Sequence, residues 1–200
     1  MSDDRLPLDG AAELVGGYRW IEGRLFELVG AWSAVAPFPE VRVFLSALSS
    51  QFGWHAELWE ERLPVLDTVD RDALTRAPGP AADTLLAALA GGPVATRWEW
   101  RLAGLFRVVI PRLLVTYTAH LDRAVPVSDG PTIRTLRLVS RDHGEAWLAG
   151  EALVERILAG GGGAQSAASA QGELEAVVTG AGVVAGLVPW PGEDSSGRGT

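Results

Sequence analysis

The side chains best suited to chemistry in this sequence are three histidines and one glutamate that fall among apolar residues. His55, His120 and His143 each lie in phase with an apolar stripe that recurs every three to four positions. Glu22 lies one position off the main stripe of its own helix, on the widened apolar face. If the first two predicted helices form an antiparallel hairpin, Glu22 is level with Gln51 and one turn from His55. A buried carboxylate is costly without a partner, so these two residues are its candidate partners.

Two kinds of chemistry are open to these residues, metal binding and hydrogen bonding within the core. Two imidazoles and a carboxylate are the ligand set of mononuclear non-haem iron, and Glu22, His55 and His143 could supply it. Glu145, on the predicted helix of His143, is a further candidate ligand. A lone histidine on an apolar stripe is more often a core residue with satisfied hydrogen bonds, and Arg19 is an alternative partner for Glu22. The sequence leaves both interpretations open.

Composition and spacing exclude several other chemistries. The chain has no cysteine, which removes thiolate catalysis, disulfides, iron–sulfur clusters and cysteine zinc sites. It also has no lysine, so the glycine run 160–163 cannot be the phosphate-binding loop of a nucleotide-binding protein. Ser140, Asp142 and His143 share one helix within three positions, and they cannot face one another as a catalytic triad requires.

Four amphipathic helices are predicted to position these side chains. Their apolar residues recur at spacings of three and four, and they cover about residues 11–32, 39–63, 95–123 and 131–158. Pro111 falls inside the third helix, where it should remove one backbone hydrogen bond and kink the axis. The connection 64–93 contains turn signals around a short apolar run and is longer than neighbouring antiparallel helices need. A connection of that length can travel the full height of a bundle.

The predicted helices make up one domain, residues 1–159. Residues 160–172 consist almost entirely of glycine, alanine and serine, a composition that is typical of a flexible linker. Residues 173–200 combine an apolar C-terminal segment with an end that we expect to be disordered. The apolar segment, together with more tryptophans than four stripes need, favours a homodimer.

Two segments carry a resemblance to a known family. Residues 54–64 and 136–147 resemble the second and fourth helices of ferritin-like superfamily proteins, most of all the uncharacterised bacterial members. The resemblance implies an all-α fold, a ferritin-like four-helix bundle with a long crossover between helices 2 and 3. It also implies a di-iron carboxylate centre, with a glutamate on each of two helices and Glu-x-x-His on each of the other two.

The ligand pattern of such a di-iron centre is largely missing from this chain. No Glu-x-x-His occurs anywhere in the sequence. Phe52 stands where the motif would place a glutamate ahead of His55, and Ala146 occupies the ligand position of the fourth helix. The segment 117–120 of the third helix also lacks a carboxylate. We therefore expect a degenerate di-iron site.

The function expected on this basis is the binding of a small ligand or a protein partner, with no cofactor. The candidate ligand-binding residues face the interior of the predicted bundle: Glu22, Gln51, His55, Tyr117 and His143. The alternative is an iron-dependent oxidase or hydroxylase with a rearranged site, in which the iron ligands are Glu22, His55, His143 and Glu145. The distances among the first three decide between the two, because separations that fit one shared ion favour the enzyme.

The composition also argues against two classes of partner. The formal net charge is −8, and all 17 basic residues are arginines with no lysine-rich stretch, whereas nucleic-acid and anionic membrane surfaces need clustered cations. No apolar run approaches the roughly 18 residues of a transmembrane helix. The N-terminus lacks the basic and apolar regions of a signal peptide. We expect a cytoplasmic protein that binds neither nucleic acid nor membranes.

Overall fold

The computed structural model of the chain describes residues 6–65, 70–91, 93–159, 164–180 and 186–191. Every regular element in these ranges is helical, and they contain no strand. The prediction of an all-α fold is therefore confirmed. The core is continuous and draws apolar side chains from each of the long helices.

The first two helices form an antiparallel hairpin. Helix α1 is Leu8–Val35 and helix α2 is Pro39–Glu60. The turn is short because α1 ends before Pro37, while Pro39 occupies the first turn of α2, where its missing N–H costs nothing. The Ser49 hydroxyl donates to the carbonyl oxygen of Phe26 at 2.9 Å, which fixes the register of the pair. Their buried faces carry the apolar stripes predicted from the sequence.

The long connection after α2 is partly helical. It contains the short helix α3, Arg71–Leu74, the helix α4, Pro80–Gly91, and a 3₁₀ turn, Pro93–Thr96. The short apolar run noted in the sequence lies in α4, where Leu85 and Leu89 are fully buried. The connection is thus packed against the core rather than looped over it.

The third predicted helix is one long helical stretch with a defect. Helix α5, Trp98–Gly104, continues through a π-helical turn, Leu105–Val109, into helix α6, Ile110–Arg123. The defect ends just before Pro111, whose ring cannot fit above a regular α-helical turn, and a π turn is one way to relieve that clash. This stretch is long and apolar enough to cross a membrane, but 61% of its most apolar window is buried within the protein, as in an ordinary core helix.

Helix α7, Gly130–Ala159, packs closely against the π-helical turn. Gly150 lies directly over the ring of Phe106, and a Cβ atom built there would be 2.1 Å from Phe106 Cδ1. Only glycine allows this approach. Three residues earlier in the helix, the predicted stripe is imperfect, since the Trp147 side chain is 38% exposed.

The C-terminal region departs from the sequence prediction. Residues 164–172, predicted as flexible linker, form the first half of helix α8, Ala164–Gly180. Alanine is the strongest helix former, and Ala167 and Ala170 are buried against the core together with Leu174 and Val178 of the apolar segment. The remaining parts of these predictions, the glycine run 160–163 and the disordered end after residue 191, lie outside the described residues. The homodimer stays a prediction.

Candidate metal centre

Four long helices each place one polar side chain at the same point of the core. Glu22 comes from α1, His55 from α2, Tyr117 from α6 and His143 from α7, and none of the four has any exposed surface. Their positions follow from the apolar stripes, because a side chain in phase with a stripe is carried into the interior whatever its polarity. The sequence analysis selected all four as candidate site residues.

Glu22 is the hub of the cluster. Tyr117 Oη donates to Glu22 Oε1 at 2.6 Å, and His143 Nε2 lies 2.7 Å from the same oxygen. A carboxylate can only accept, so His143 Nε2 carries the hydrogen in this arrangement. The second oxygen, Oε2, faces His55 Nδ1 at 3.6 Å. The imidazole rings of His55 and His143 meet edge to face, with 4.9 Å between their centroids.

Asp142 extends the cluster toward the surface. His55 Nε2 lies 3.1 Å from Asp142 Oδ2, and the Asp142 side chain is 21% exposed. This contact holds the His55 ring by its outer nitrogen and leaves Nδ1 facing inward. Histidine ligands of metals almost always donate their second N–H to a carboxylate, a carbonyl or water in this way. His55 therefore has the orientation of a supported metal ligand.

Three buried polar atoms of the cluster have no hydrogen-bond partner within the described part of the chain. They are Glu22 Oε2, His55 Nδ1 and His143 Nδ1. Buried polar groups are rarely left unpaired, because each such group costs roughly 1–3 kcal/mol. The first two face each other across 3.6 Å, where a single cation could contact both.

The separations in the cluster are close to those around one metal ion. One ligand atom from each of Glu22, His55 and His143 can be chosen so that all three lie within 4.8 Å of one another. Metal bonds of about 2.1 Å place two ligand atoms about 3.0 Å apart at a right angle and about 4.2 Å apart when opposite. The observed distances of 2.7 and 3.6 Å from the carboxylate fit that range with small adjustments. The protein thus contains a buried Glu/His/His group that could bind a metal.

The electrostatics of the cluster favour a positive charge beside the carboxylate. Burial alone would raise the pKa of Glu22, but the charges and hydrogen bonds of His143 and His55 lower it to about 2. Burial lowers the pKa of His55, and Glu22 and Asp142 outweigh this effect and raise it. Burial and the neighbouring carboxylate raise the pKa of Tyr117 well above its ordinary value, so its hydroxyl stays a donor. Glu22 is therefore ionised and needs a cation or donors around it.

The structure does not bring every predicted residue to the cluster. The Glu145 carboxylate is 66% exposed and accepts from Arg141 Nε at 2.9 Å on its own helix. This corrects the expectation that Glu145 could be a ligand, since it lies on the solvent side of α7. Gln51 is half-buried, and within the described residues no hydrogen bond joins it to the cluster. Arg19, the alternative partner of Glu22, instead donates to Glu60 and Thr75.

Sequence reasoning missed the role of Asp142. It considered Asp142 as a member of a catalytic triad that it excluded, whereas Asp142 contacts His55 across the helix interface. The position of Asp142 in the sequence is only a weak signal, because a residue next to a core position lies about 100° around the helix and can face either a neighbouring helix or water.

No protein-family model, curated protein sequence or solved structure matches this chain. Since a fold does not by itself determine a function, the geometry and chemistry of the cluster carry the functional conclusion.

Proposed function

We propose that this protein is a ferritin-like helical bundle that binds one divalent transition metal ion through Glu22, His55 and His143. The observation that carries the proposal is the pair of unpartnered atoms, Glu22 Oε2 and His55 Nδ1, that face each other 3.6 Å apart in a fully buried site. Asp142 on His55 and Tyr117 on Glu22 supply the outer contacts that metal ligands usually have.

The proposed centre is mononuclear rather than di-iron. A di-iron bundle site uses four carboxylates and two histidines. In the described part of the chain, Glu22 is the only acidic residue that is buried. Asp142 contacts the outer face of His55, which makes it a support for this ligand rather than a bridge between two ions. One carboxylate and two imidazoles suffice for a single ion.

The ligand set favours Fe(II) and an oxidation reaction. Two histidines and one carboxylate with further positions open are the arrangement of non-haem iron oxygenases, in which the iron supplies the chemistry of dioxygen. We therefore favour an iron-dependent oxidase over a site for an organic ligand. The three side chains have no exposed surface, and the rings of Phe52 and Tyr117 lie within 6 Å of the His143 ring, so an ion fits among them better than a molecule does.

The roles of the chain's own residues follow from the contacts. Tyr117 fixes one oxygen of Glu22 by its hydrogen bond and leaves the other directed at His55. Asp142 holds the His55 ring and connects the buried cluster to a partly exposed carboxylate.

Metal analysis and thermal melting test the proposal. Protein stripped with chelator is melted with and without Fe(II), Mn(II) and Zn(II) under anaerobic conditions. A free metal concentration of about 100 times the dissociation constant stabilises the native state by about 2.7 kcal/mol. For a protein of 200 residues this raises Tm by roughly 5–10 °C. We expect that shift, and one bound metal per chain, in the wild type.

Three variants make the test specific. His55→Gln and Glu22→Gln should abolish the metal-dependent shift, while His120→Gln, which alters a buried histidine outside the cluster, should keep it. No bound metal and no shift in the wild type would refute the metal centre. The reaction class is tested separately by adding air to the Fe(II) protein and following iron oxidation by electron paramagnetic resonance. Iron that stays ferrous would refute the oxidase assignment and leave the metal site intact.

A further inference from the structure

A second site candidate is a cleft at the end of the molecule where α1 begins and α6 ends. It consists of two adjoining cavities of about 220 and 290 Å³. The residues that line both cavities are Leu6, Leu8, Ala11, His120, Ser128 and Asp129. The first cavity also reaches Arg62 at the end of the α1–α2 hairpin, and the second reaches Arg123 and Trp190. None of these residues belongs to the Glu22 cluster.

A buried histidine forms the floor of this cleft. His120 is only 4% exposed, and its Nδ1 atom lies 3.0 Å from the hydroxyl of Tyr18. Burial raises the pKa of Tyr18, so the tyrosine keeps its proton and donates to Nδ1. Burial also lowers the pKa of His120 to about 4, which leaves the imidazole neutral near pH 7. The remaining nitrogen, Nε2, then carries the hydrogen and is available as a donor to a ligand.

A buried donor of Arg62 favours an anion in the first cavity. Asp129, the carboxylate that lines the same cavity, accepts from the backbone N–H of Val125 at 2.8 Å. Arg62 Nε is buried and has no hydrogen-bond partner among the described residues. Its only ion pair there is a 3.5 Å contact with Glu61, whose side chain is 67% exposed. An unpaired buried guanidinium N–H is a strong site for a carboxylate.

The rest of the cleft is small and combines an apolar wall with the polar residues Ser128 and Thr132. Leu6, Leu8, Ala11 and Val15 form one wall, and the Trp190 ring closes the second cavity with its face against the Arg123 guanidinium, 4.5 Å away. A cavity of about 150 Å³ holds one benzene molecule. On that scale each cavity alone holds about ten non-hydrogen atoms, so the cleft has room for a ligand of that size with one polar end.

We propose that this cleft binds a small monocarboxylate with an apolar body. The carboxylate lies in the first cavity, where Arg62 and His120 both reach it, and the apolar body extends along Leu8 toward Trp190. The ligand carries one negative charge, which pairs with the Arg62 guanidinium. The site is separate from the proposed metal centre and is tested on metal-free protein.

Calorimetric titration with octanoate tests the proposal. We expect saturable binding of one octanoate per chain, and much weaker binding of octanamide and octylammonium, which have the same apolar body without the negative charge. Arg62→Gln should weaken octanoate binding about ten- to a hundredfold, the change that loss of one charge-assisted hydrogen bond produces. Arg62→Lys should retain part of the affinity. The matched control Arg24→Gln, at an exposed residue of α1, should bind like the wild type.

Three outcomes of the titrations would overturn the proposal. Equal binding of octanoate and octanamide would show that the cleft recognises apolar surface alone and would overturn the proposal. So would unchanged affinity in Arg62→Gln, or the absence of saturable octanoate binding in wild type. The Trp190→Phe variant provides a local check, because ligand-induced change in tryptophan fluorescence should disappear with that ring. Melting curves of each variant establish that it is folded before titration.

Discussion

Replacing Tyr117 by phenylalanine removes one hydroxyl from the centre of the cluster and leaves the rest of the side chain in place. The ring keeps its contacts with Tyr18 and Trp59, at centroid distances of 5.0 and 5.5 Å. The hydroxyl donates to an ionised, fully buried carboxylate at 2.6 Å. Hydrogen bonds to charged groups contribute about 1.5–3 kcal/mol. We expect the free energy of unfolding of the metal-free Tyr117→Phe protein to fall by an amount near the upper end of that range, because Glu22 then keeps a single close donor.

Tyr18→Phe is the matched control for this change. Its hydroxyl is also buried and also lost, but it bonds to neutral His120 at 3.0 Å rather than to a carboxylate. A neutral hydrogen bond contributes about 1 kcal/mol. Urea unfolding followed by circular dichroism should therefore show a larger loss for Tyr117→Phe, with the same denaturant slope in both variants.

Metal affinity separates the two variants further. Tyr117 orients Glu22, so its loss should weaken metal binding about ten- to a hundredfold, as removal of a contact to a metal ligand usually does. Tyr18→Phe should bind metal like the wild type. Competition with a chelator measures both. The reasoning is refuted if the two variants lose equal stability, or if both keep wild-type metal affinity.

Three further predictions concern the support of the site, the second histidine and the packing of α7. Asp142→Asn should lower metal affinity about tenfold or more in the same chelator assay, and unchanged affinity would contradict its supporting role. The folded state holds the pKa of His120 at about 4, below its ordinary 6.5, so the unfolded chain binds the extra proton first. The free energy of unfolding should fall by about 3 kcal/mol between pH 6.5 and 4, and His120→Gln should lack that part of the decline. Gly150→Ala should cost at least about 1–3 kcal/mol through overlap with Phe106, whereas Gly144→Ala on the same helix, with open space around it, should be neutral or stabilising in thermal melts.

The interior residues of the site could be predicted because helical periodicity alone decides which side faces inward. Glu22, His55 and His143 each stand on or beside a run of apolar residues, so burying the run buries them too. The antiparallel hairpin then brings Glu22 of α1 next to His55 of α2. The contact between these helices and α7 follows less directly, since it depends on the rotation of a distant helix. That His143 meets the same carboxylate is a result of the tertiary packing.

Two predictions failed where local composition and tertiary packing disagree. An alanine-rich segment can be a flexible chain or a helix, and the burial of Ala167 and Ala170 against the core selects the helix. Glu145 and Asp142 are both acidic neighbours of His143, but they face different sides of α7. The first lies on the solvent side of α7, and the second faces α2, where His55 lies 3.1 Å away. A rotation of the helix by a few tens of degrees would exchange them, and sequence does not specify that angle.

The energetics of the cluster explain why its charge state is the central question. A carboxylate with no exposed surface is maintained in ionised form only if donors or positive charge surround it, and Glu22 has two close donors on one oxygen and none on the other. A proton on His55 Nδ1 or a metal ion between Glu22 and His55 would each supply the missing positive charge. The two cases differ in the protonation of His143. Without a metal, a hydrogen on the ring nitrogen of His143 bonds to Glu22, whereas a metal ion needs the lone pair of a ring nitrogen and that nitrogen then carries no hydrogen. The orphaned oxygen, the inward-facing Nδ1 atom and the Asp142 contact together favour the ion, since a proton alone would draw Oε2 and Nδ1 into hydrogen-bond contact.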